Sequence, residues 1–165
     1  MKRYITFISC LLLIVFVCCK PKKEVAAATS VDYSDSIFLI IDKSPCFGAC
    51  PTYKMIIYNN GYATMRASKN VPQVGNFNRR FSPQEIEQLS KKIEEIRFFD
   101  LKDEYNDTLI MDLPFTTIAA HRRGAVKSIL CRFEIPDPLN NFVMSFDTLI
   151  GSPVWKLMKS PFGDD

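Results

Sequence analysis

Histidine is all but missing from this chain: His121 is the only one in 165 residues. No serine-nucleophile motif lies near it, so a Ser–His–acid catalytic set has nothing to form around. Glycine is scarce as well, with six residues, and none of them builds a phosphate-cradling loop. No apolar run reaches the ~20 residues that a membrane-spanning helix requires. An excess of charge is missing too, with 21 Lys+Arg against 18 Asp+Glu. Without Lys2 and Arg3, at the extreme N-terminus, the balance is 19 against 18, a net of +1. That balance gives no footprint for nucleic-acid binding.

The first eighteen residues differ from the rest. Lys2 and Arg3 precede an apolar stretch from Tyr4 to Val17, and Cys18-Cys19-Lys20-Pro21-Lys22-Lys23 follows. A short apolar run ending abruptly at a basic segment is the pattern of a cleaved signal. Phe16-Val17-Cys18 fits an ordinary small-residue cleavage site poorly. It resembles the lipobox of bacterial lipoproteins, in which a small residue precedes the cysteine that receives lipid. Cys19, with Cys18 before it, is the expected lipidation site; Cys18 is the alternative. Two or three acyl chains give stable membrane attachment where one gives only marginal binding. The expected organisation is a signal peptide over 1–18, a lipidated tether over 19–35, and one domain over 36–165. Outer membrane facing the periplasm is the expected location.

The domain reads as α+β. Ser36–Ile41, Tyr53–Tyr58, Tyr62–Ala67, Phe115–His121 and Ala125–Phe133 read as strands. Asn59-Asn60-Gly61 and Arg122-Arg123-Gly124 mark two hairpin turns. Ser82-Pro83-Gln84-Glu85 is a helix start with a capping box, and Ile86, Leu89, Ile93 and Ile96 recur at helical spacing toward an end near Arg97. A second helix starts at Pro136-Asp137-Pro138 with Asp137 as its cap. It presents Leu139, Phe142, Val143, Phe146, Leu149 and Ile150 on one face and ends at Gly151. Val154 and Trp155 should tuck back onto the core. The order is β-β-β-α-β-β-α, a mainly antiparallel sheet of about five strands with two helices on one face.

Of six cysteines, Cys10 and Cys18 leave with the signal and Cys19 carries lipid, so Cys46, Cys50 and Cys131 remain. Outside the cytoplasm a close pair is expected to oxidise. A structural Cys46–Cys50 disulfide is the favoured reading. A redox-active dithiol is an alternative, although the flanks read as strands and the usual helix N-terminus is not visible. A zinc site of Cys46, Cys50, Cys131 and His121 is a third. Against it, Cys131 alternates with Ile129 and Phe133 as a buried thiol would, and His121 reads as an exposed turn residue, so no metal ligands are assigned.

Cys46-Phe47-Gly48-Ala49-Cys50-Pro51-Thr52-Tyr53 resembles an uncharacterised family of bacterial exported proteins, a domain of unknown function with a Cys-Phe-Gly-x-Cys-Pro-x-Tyr motif. The resemblance runs on through Asn60-Gly61, the Ser-Pro helix start, Tyr105, Asp112-x-Pro114 and Trp155, over roughly residues 36–157. It implies a fold and export, and carries no activity.

Candidate ligand-binding residues are Tyr53, Asp112, Arg122 and Arg123. Asp112 stands out from an acidic connector of Asp100, Asp103, Glu104 and Asp107, because a short Asp often fixes a turn. Arg79, Arg80, Arg122, Arg123 and Arg132 make a basic patch only if their loops converge; scattered surface charge is the favoured reading. Asp35-Ser36-Ile37, Asp107-Thr108-Leu109 and Asp147-Thr148-Leu149 match a short pattern that some bacteria glycosylate, the last expected to be inaccessible in a helix. The expected function is a non-enzymatic binding or accessory module of the envelope, with no cofactor. Its partners would be the membrane through the lipid and an envelope protein or glycan, and not nucleic acid. A thiol–disulfide redox protein using Cys46 and Cys50, and a metal or small-ligand carrier, are the alternatives.

Overall fold

The computed structural model describes residues 36–110 and 112–158. The signal, Cys18, Cys19 and the tether lie outside the described residues.

Strands β1 (Ile37–Lys43), β2 (Thr52–Tyr58), β3 (Tyr62–Lys69) and β4 (Gly75–Arg80) form an antiparallel meander. Helix α1 (Pro83–Glu95) follows, then β5 (Glu104–Tyr105), the hairpin β6 (Thr116–Arg122) and β7 (Ala125–Cys131), helix α2 (Asp137–Ser145) and β8 (Lys156–Leu157). They make one eight-stranded sheet in the order β5-β7-β6-β1-β2-β3-β4-β8. Among the described residues only the β5–β7 pair is parallel. The α+β class, the two helices and the mainly antiparallel sheet match expectation; the count of five strands and the order β-β-β-α-β-β-α do not, because β4 precedes the first helix, β5 precedes the second hairpin and β8 follows the second helix. β4 has no apolar alternation to mark it in the sequence, since its inward residues are Phe77 and Arg79, one of them charged. β5 and β8 are two residues long and carry no periodicity.

Alternation places one side of the sheet in the core. Leu39, Ile41, Tyr53, Met55, Ile57, Met65, Phe77, Ile118 and Ile129 are buried there. Ile93 of α1, and Leu139, Phe142, Val143 and Phe146 of α2 and the 3₁₀ turn after it, join the same cluster. Each such large apolar side chain contributes roughly 1.5–3 kcal/mol by leaving water.

The local signals act as read at α1. Ser82 Oγ accepts from Glu85 N–H at 3.2 Å, and a Glu85 carboxylate oxygen accepts from Ser82 N–H at 2.7 Å. Burial acts to raise the Glu85 pKa, but those bonds and the Arg79 guanidinium outweigh it and hold the carboxyl below its ordinary value. At α2 the expected cap does not form. Pro136 is the N-cap and Asp137 is already helical, with no side-chain capping bond. The helix also tightens into a 3₁₀ turn over Phe146–Thr148 instead of running to Gly151.

Both hairpins form. In the first, Gly61 alone takes positive φ (+79°), and Tyr62 N–H donates to Asn60 Oδ1. In the second, Arg123 (+49°) and Gly124 (+81°) both do, as a two-residue turn demands. Trp155 is buried, its Nε1–H donating to Leu149 O at 2.8 Å, but Val154 is half exposed.

Candidate functional site

The chain between β1 and β2 is drawn into a tight loop by the Cys46–Cys50 disulfide, whose Cα atoms are 5.8 Å apart. Three sets of bonds hold this loop. The N–H groups of Gly48 and Cys50 both donate to Cys46 Sγ, at 3.2 and 3.3 Å. Asn70, which follows β3 with φ +53°, donates its Nδ2 hydrogens to Gly48 O and Cys50 O. Ser44 N–H donates to Phe115 O, and Phe115 N–H to Ser44 Oγ at 2.8 Å, tying the loop's entry to the start of β6. On this frame Phe47 is 95 % exposed.

Behind the loop, on the core side, Lys43 and Tyr53 converge on Asp147. Lys43 Nζ lies 2.9 and 2.7 Å from the two carboxylate oxygens, and Tyr53 Oη donates to Oδ1 at 2.8 Å. Burial, with the nearby Asp147 charge, pushes the Tyr53 phenol far above its ordinary value. Tyr53 is thus a buried strut whose hydroxyl proton is engaged by Asp147. Asp147 was legible only within an Asp-Thr-Leu triplet. Thr148 beside it is exposed, contrary to expectation, with its hydroxyl donating to Ser145 O.

In front of the loop is a cavity of about 440 Å³ lined by Cys46, Phe47, Asp112, Leu113, Phe115 and Arg132 among others. Asp112, singled out from sequence, is therefore brought to the cysteine loop. Arg122 and Arg123 are not. They lie at the β6–β7 turn, the other end of that hairpin, where Arg122 pairs with Glu94 and lies against the Phe99 ring. The five arginines do not converge either: Arg79 is buried on Glu85, and Arg80 reaches Asn60 O. Arg132 is the one at the cavity, with its guanidinium carbon 5.3 Å from the Phe115 ring centroid.

Cys131 is a free, buried thiol, pushed up to about 11 by burial. His121 is a half-buried strand residue paired with Val126, not a turn residue. Cys131 pairs with Thr116 at the opposite end of the same hairpin, and Cys46 and Cys50 are spent on each other, so the four do not form one ligand set. No three of His, Cys, Asp and Glu come together to hold a metal among the described residues. The acidic connector is held by pairs, Asp100 with Arg97 and Asp103 with Lys127.

A larger cavity, about 710 Å³, opens between the helices over Phe81, Leu89, Ile96 and Phe142. Its floor is the outer side of the core cluster, and none of its lining residues leaves a buried polar atom without a partner. At the disulfide-framed end, by contrast, Arg132 Nε is buried without a partner.

Fold and site together define a small α+β domain whose one-sided sheet ends in a cross-linked aromatic loop. The chain belongs to the family described as a domain of unknown function, DUF6438, whose model matches residues 38–150. No curated protein and no solved structure matches it. Among the described residues, no helix is long and apolar enough to cross a membrane.

Proposed function

We propose that this protein is a bacterial envelope lipoprotein, anchored through Cys19, that acts as a non-enzymatic binding module through its disulfide-framed end. The observation that carries the binding role is Phe47. A nearly fully exposed aromatic side chain is held on a loop fixed by a disulfide and by Asn70. Fixing a contact residue before binding lowers the ordering cost of association, and aromatic residues dominate binding energy at interfaces. The anchoring role rests on the N-terminal sequence: a basic start, a short apolar run and a cysteine behind a small residue.

The geometry suits both roles. β1 runs from Ile37, next to the tether, to Lys43, beside the loop, six steps of ~3.3 Å apart or roughly 20 Å. The binding end is therefore the end of β1 remote from the point where the tether joins. An outer-membrane lipoprotein facing the periplasm would present it to an envelope protein or glycan.

Two experiments test the two parts. Labelled palmitate should be incorporated by the full-length chain and lost in Cys19→Ser; retention in Cys19→Ser with loss in Cys18→Ser moves the anchor by one residue, and no incorporation by the native chain removes it. A photo-crosslinking residue at position 47 should give a discrete adduct in the intact envelope, where the same residue at position 123 gives none. Equal labelling at both positions contradicts a binding face at the loop.

One observation favours a second reading, thiol–disulfide exchange. The two N–H groups on Cys46 Sγ would stabilise a thiolate there after reduction.

A further inference from the structure

Arg132 is unlike the paired arginines of this domain. Arg79 pairs with Glu85, Arg97 with Asp100, and Arg122 with Glu94. Arg132 pairs with no carboxylate among the described residues, and its Nε, closed off from solvent, meets no acceptor. That Nε is out of a ligand's reach, and the outer N–H groups of the guanidinium, which meet no acceptor among the described residues either, are what Arg132 can offer at the cavity. Arg79 also has an unpartnered Nε, but its other end is bonded to Glu85 and its guanidinium is covered by Phe81 and Trp155. Arg132 instead lines an open cavity.

We propose that this cavity is a peptide subsite in which Arg132 receives the carboxylate of an acidic side chain on a partner protein, while Phe47, Leu113 and Phe115 receive the apolar side chain beside it. The inference rests on the reading of the disulfide-framed end as the binding face, and it names the chemistry that this face takes. A guanidinium is a planar fork of donors that matches a carboxylate, and its contact with Phe115 keeps that plane presented. The apolar part of the ligand has a surface to meet, because Leu113 and Phe115 are each more than a third exposed beside Phe47. Asp112 decides between a peptide and a simple carboxylate. It lines the same cavity, is exposed, and makes no ion pair with Arg132. A lone anion would satisfy Arg132 and be repelled by Asp112. An extended peptide brings backbone N–H donors for Asp112 and an acidic side chain for Arg132 at once.

The test uses the full-length protein in detergent micelles with its arginines ¹⁵N-labelled, the Arg132 Nε–H signal being the one absent from Arg132→Lys. Three N-acetylated probes are titrated: acetyl-Leu-Glu-Phe-amide, its Gln twin, and acetyl-Leu-Phe with a free C-terminal carboxylate. The Glu probe should move the Arg132 Nε–H signal, which senses a carboxylate bound at the outer nitrogens of the same guanidinium, and bind at least about tenfold more tightly than the Gln twin. Arg132→Lys, which keeps the charge and loses the fork, should weaken the Glu probe about tenfold. Arg132→Gln should bring the Glu and Gln probes to the same affinity. If that variant does not fold, the paired probes on the native protein still decide. Equal binding of the Glu and Gln probes, an unmoved Arg132 signal, or no binding at millimolar probe overturns the proposal. Binding of the free-carboxylate probe alone also overturns it, assigning Arg132 to a chain terminus. Should the proposal fail while crosslinking from position 47 persists, the binding face stands and only its ligand chemistry is wrong; loss of both removes the face.

Discussion

Tyr53 and Asp147 are 94 residues apart in the chain and joined by a 2.8 Å hydrogen bond, with Lys43 on the same carboxylate. This links both strands that carry the cysteine loop to the 3₁₀ turn after α2. The Lys43 side chain is only 14 % exposed, so removing its partner leaves an ammonium poorly hydrated. Asp147→Ala should therefore destabilise the domain by about 2 kcal/mol, less than for a fully buried pair because Asp147 is partly exposed. Tyr53→Phe, which removes one hydrogen bond and keeps the ring, should cost about 1 kcal/mol. Urea unfolding measures both. An Asp147→Ala effect below about 0.5 kcal/mol, the size of an ordinary surface change, contradicts this role.

Glu85 makes stability depend on pH. Its folded-state pKa lies below the ordinary value of 4.5, so the carboxylate binds fewer protons folded than unfolded. Its contribution is complete above about pH 4.5 and is lost as the pH falls through the folded-state value. The side chain is 41 % exposed, and solvent screening keeps the effect small. Thermal melts from pH 7 to pH 3 should show Glu85→Gln nearest to the native protein at the acid end. A gap that widens on acidification contradicts the assignment.

Two glycines of similar φ should respond differently to alanine. A Cβ on Gly61 would lie 2.4 Å from the Phe81 carbonyl oxygen, whose residue donates its own N–H to Gly61 O. A Cβ on Gly124 meets nothing within 4 Å. Gly124→Ala should cost only the backbone strain, about 1–2 kcal/mol. Gly61→Ala should exceed it by at least about 1 kcal/mol, because backbone must shift as well. Equal costs in denaturant melts contradict a close Gly61–Phe81 approach.

The parts of this fold legible in the sequence are those fixed by near neighbours. Ser82 and Glu85 are three residues apart, and each hairpin turn lies within its own short segment. β4 was hidden because its inward Arg79 reads as a surface residue, yet that guanidinium lies 3.8 Å from the Phe81 ring centroid and is held by Glu85. The site divides the same way. The Cys46–Cys50 pair and Asp112 were each marked by local pattern, but their meeting with Arg132 depends on which strands neighbour which. Asp147 carried no mark of its partners, since a carboxylate's use is set by what folding brings to it. Arg122 and Arg123 do not join the site for the converse reason: they are adjacent to a turn, and that turn lies at the far end of the hairpin.

In the proposed function the Cys46–Cys50 bond frames a fixed binding face rather than exchanging electrons. The direct measurement is the intact mass of the native protein after alkylation at pH 8, before and after mild reduction, with Cys19 blocked by its lipid. No thiol should label in the native state, since Cys131 is buried and ionises only near 11. The disulfide should resist mild reductant, and breaking it by Cys46→Ser with Cys50→Ser should cost about 2 kcal/mol, the chain-entropy value for so short a loop. Ready reduction, with one loop thiol labelling fast below neutral pH, would contradict the account and make thiol exchange the function.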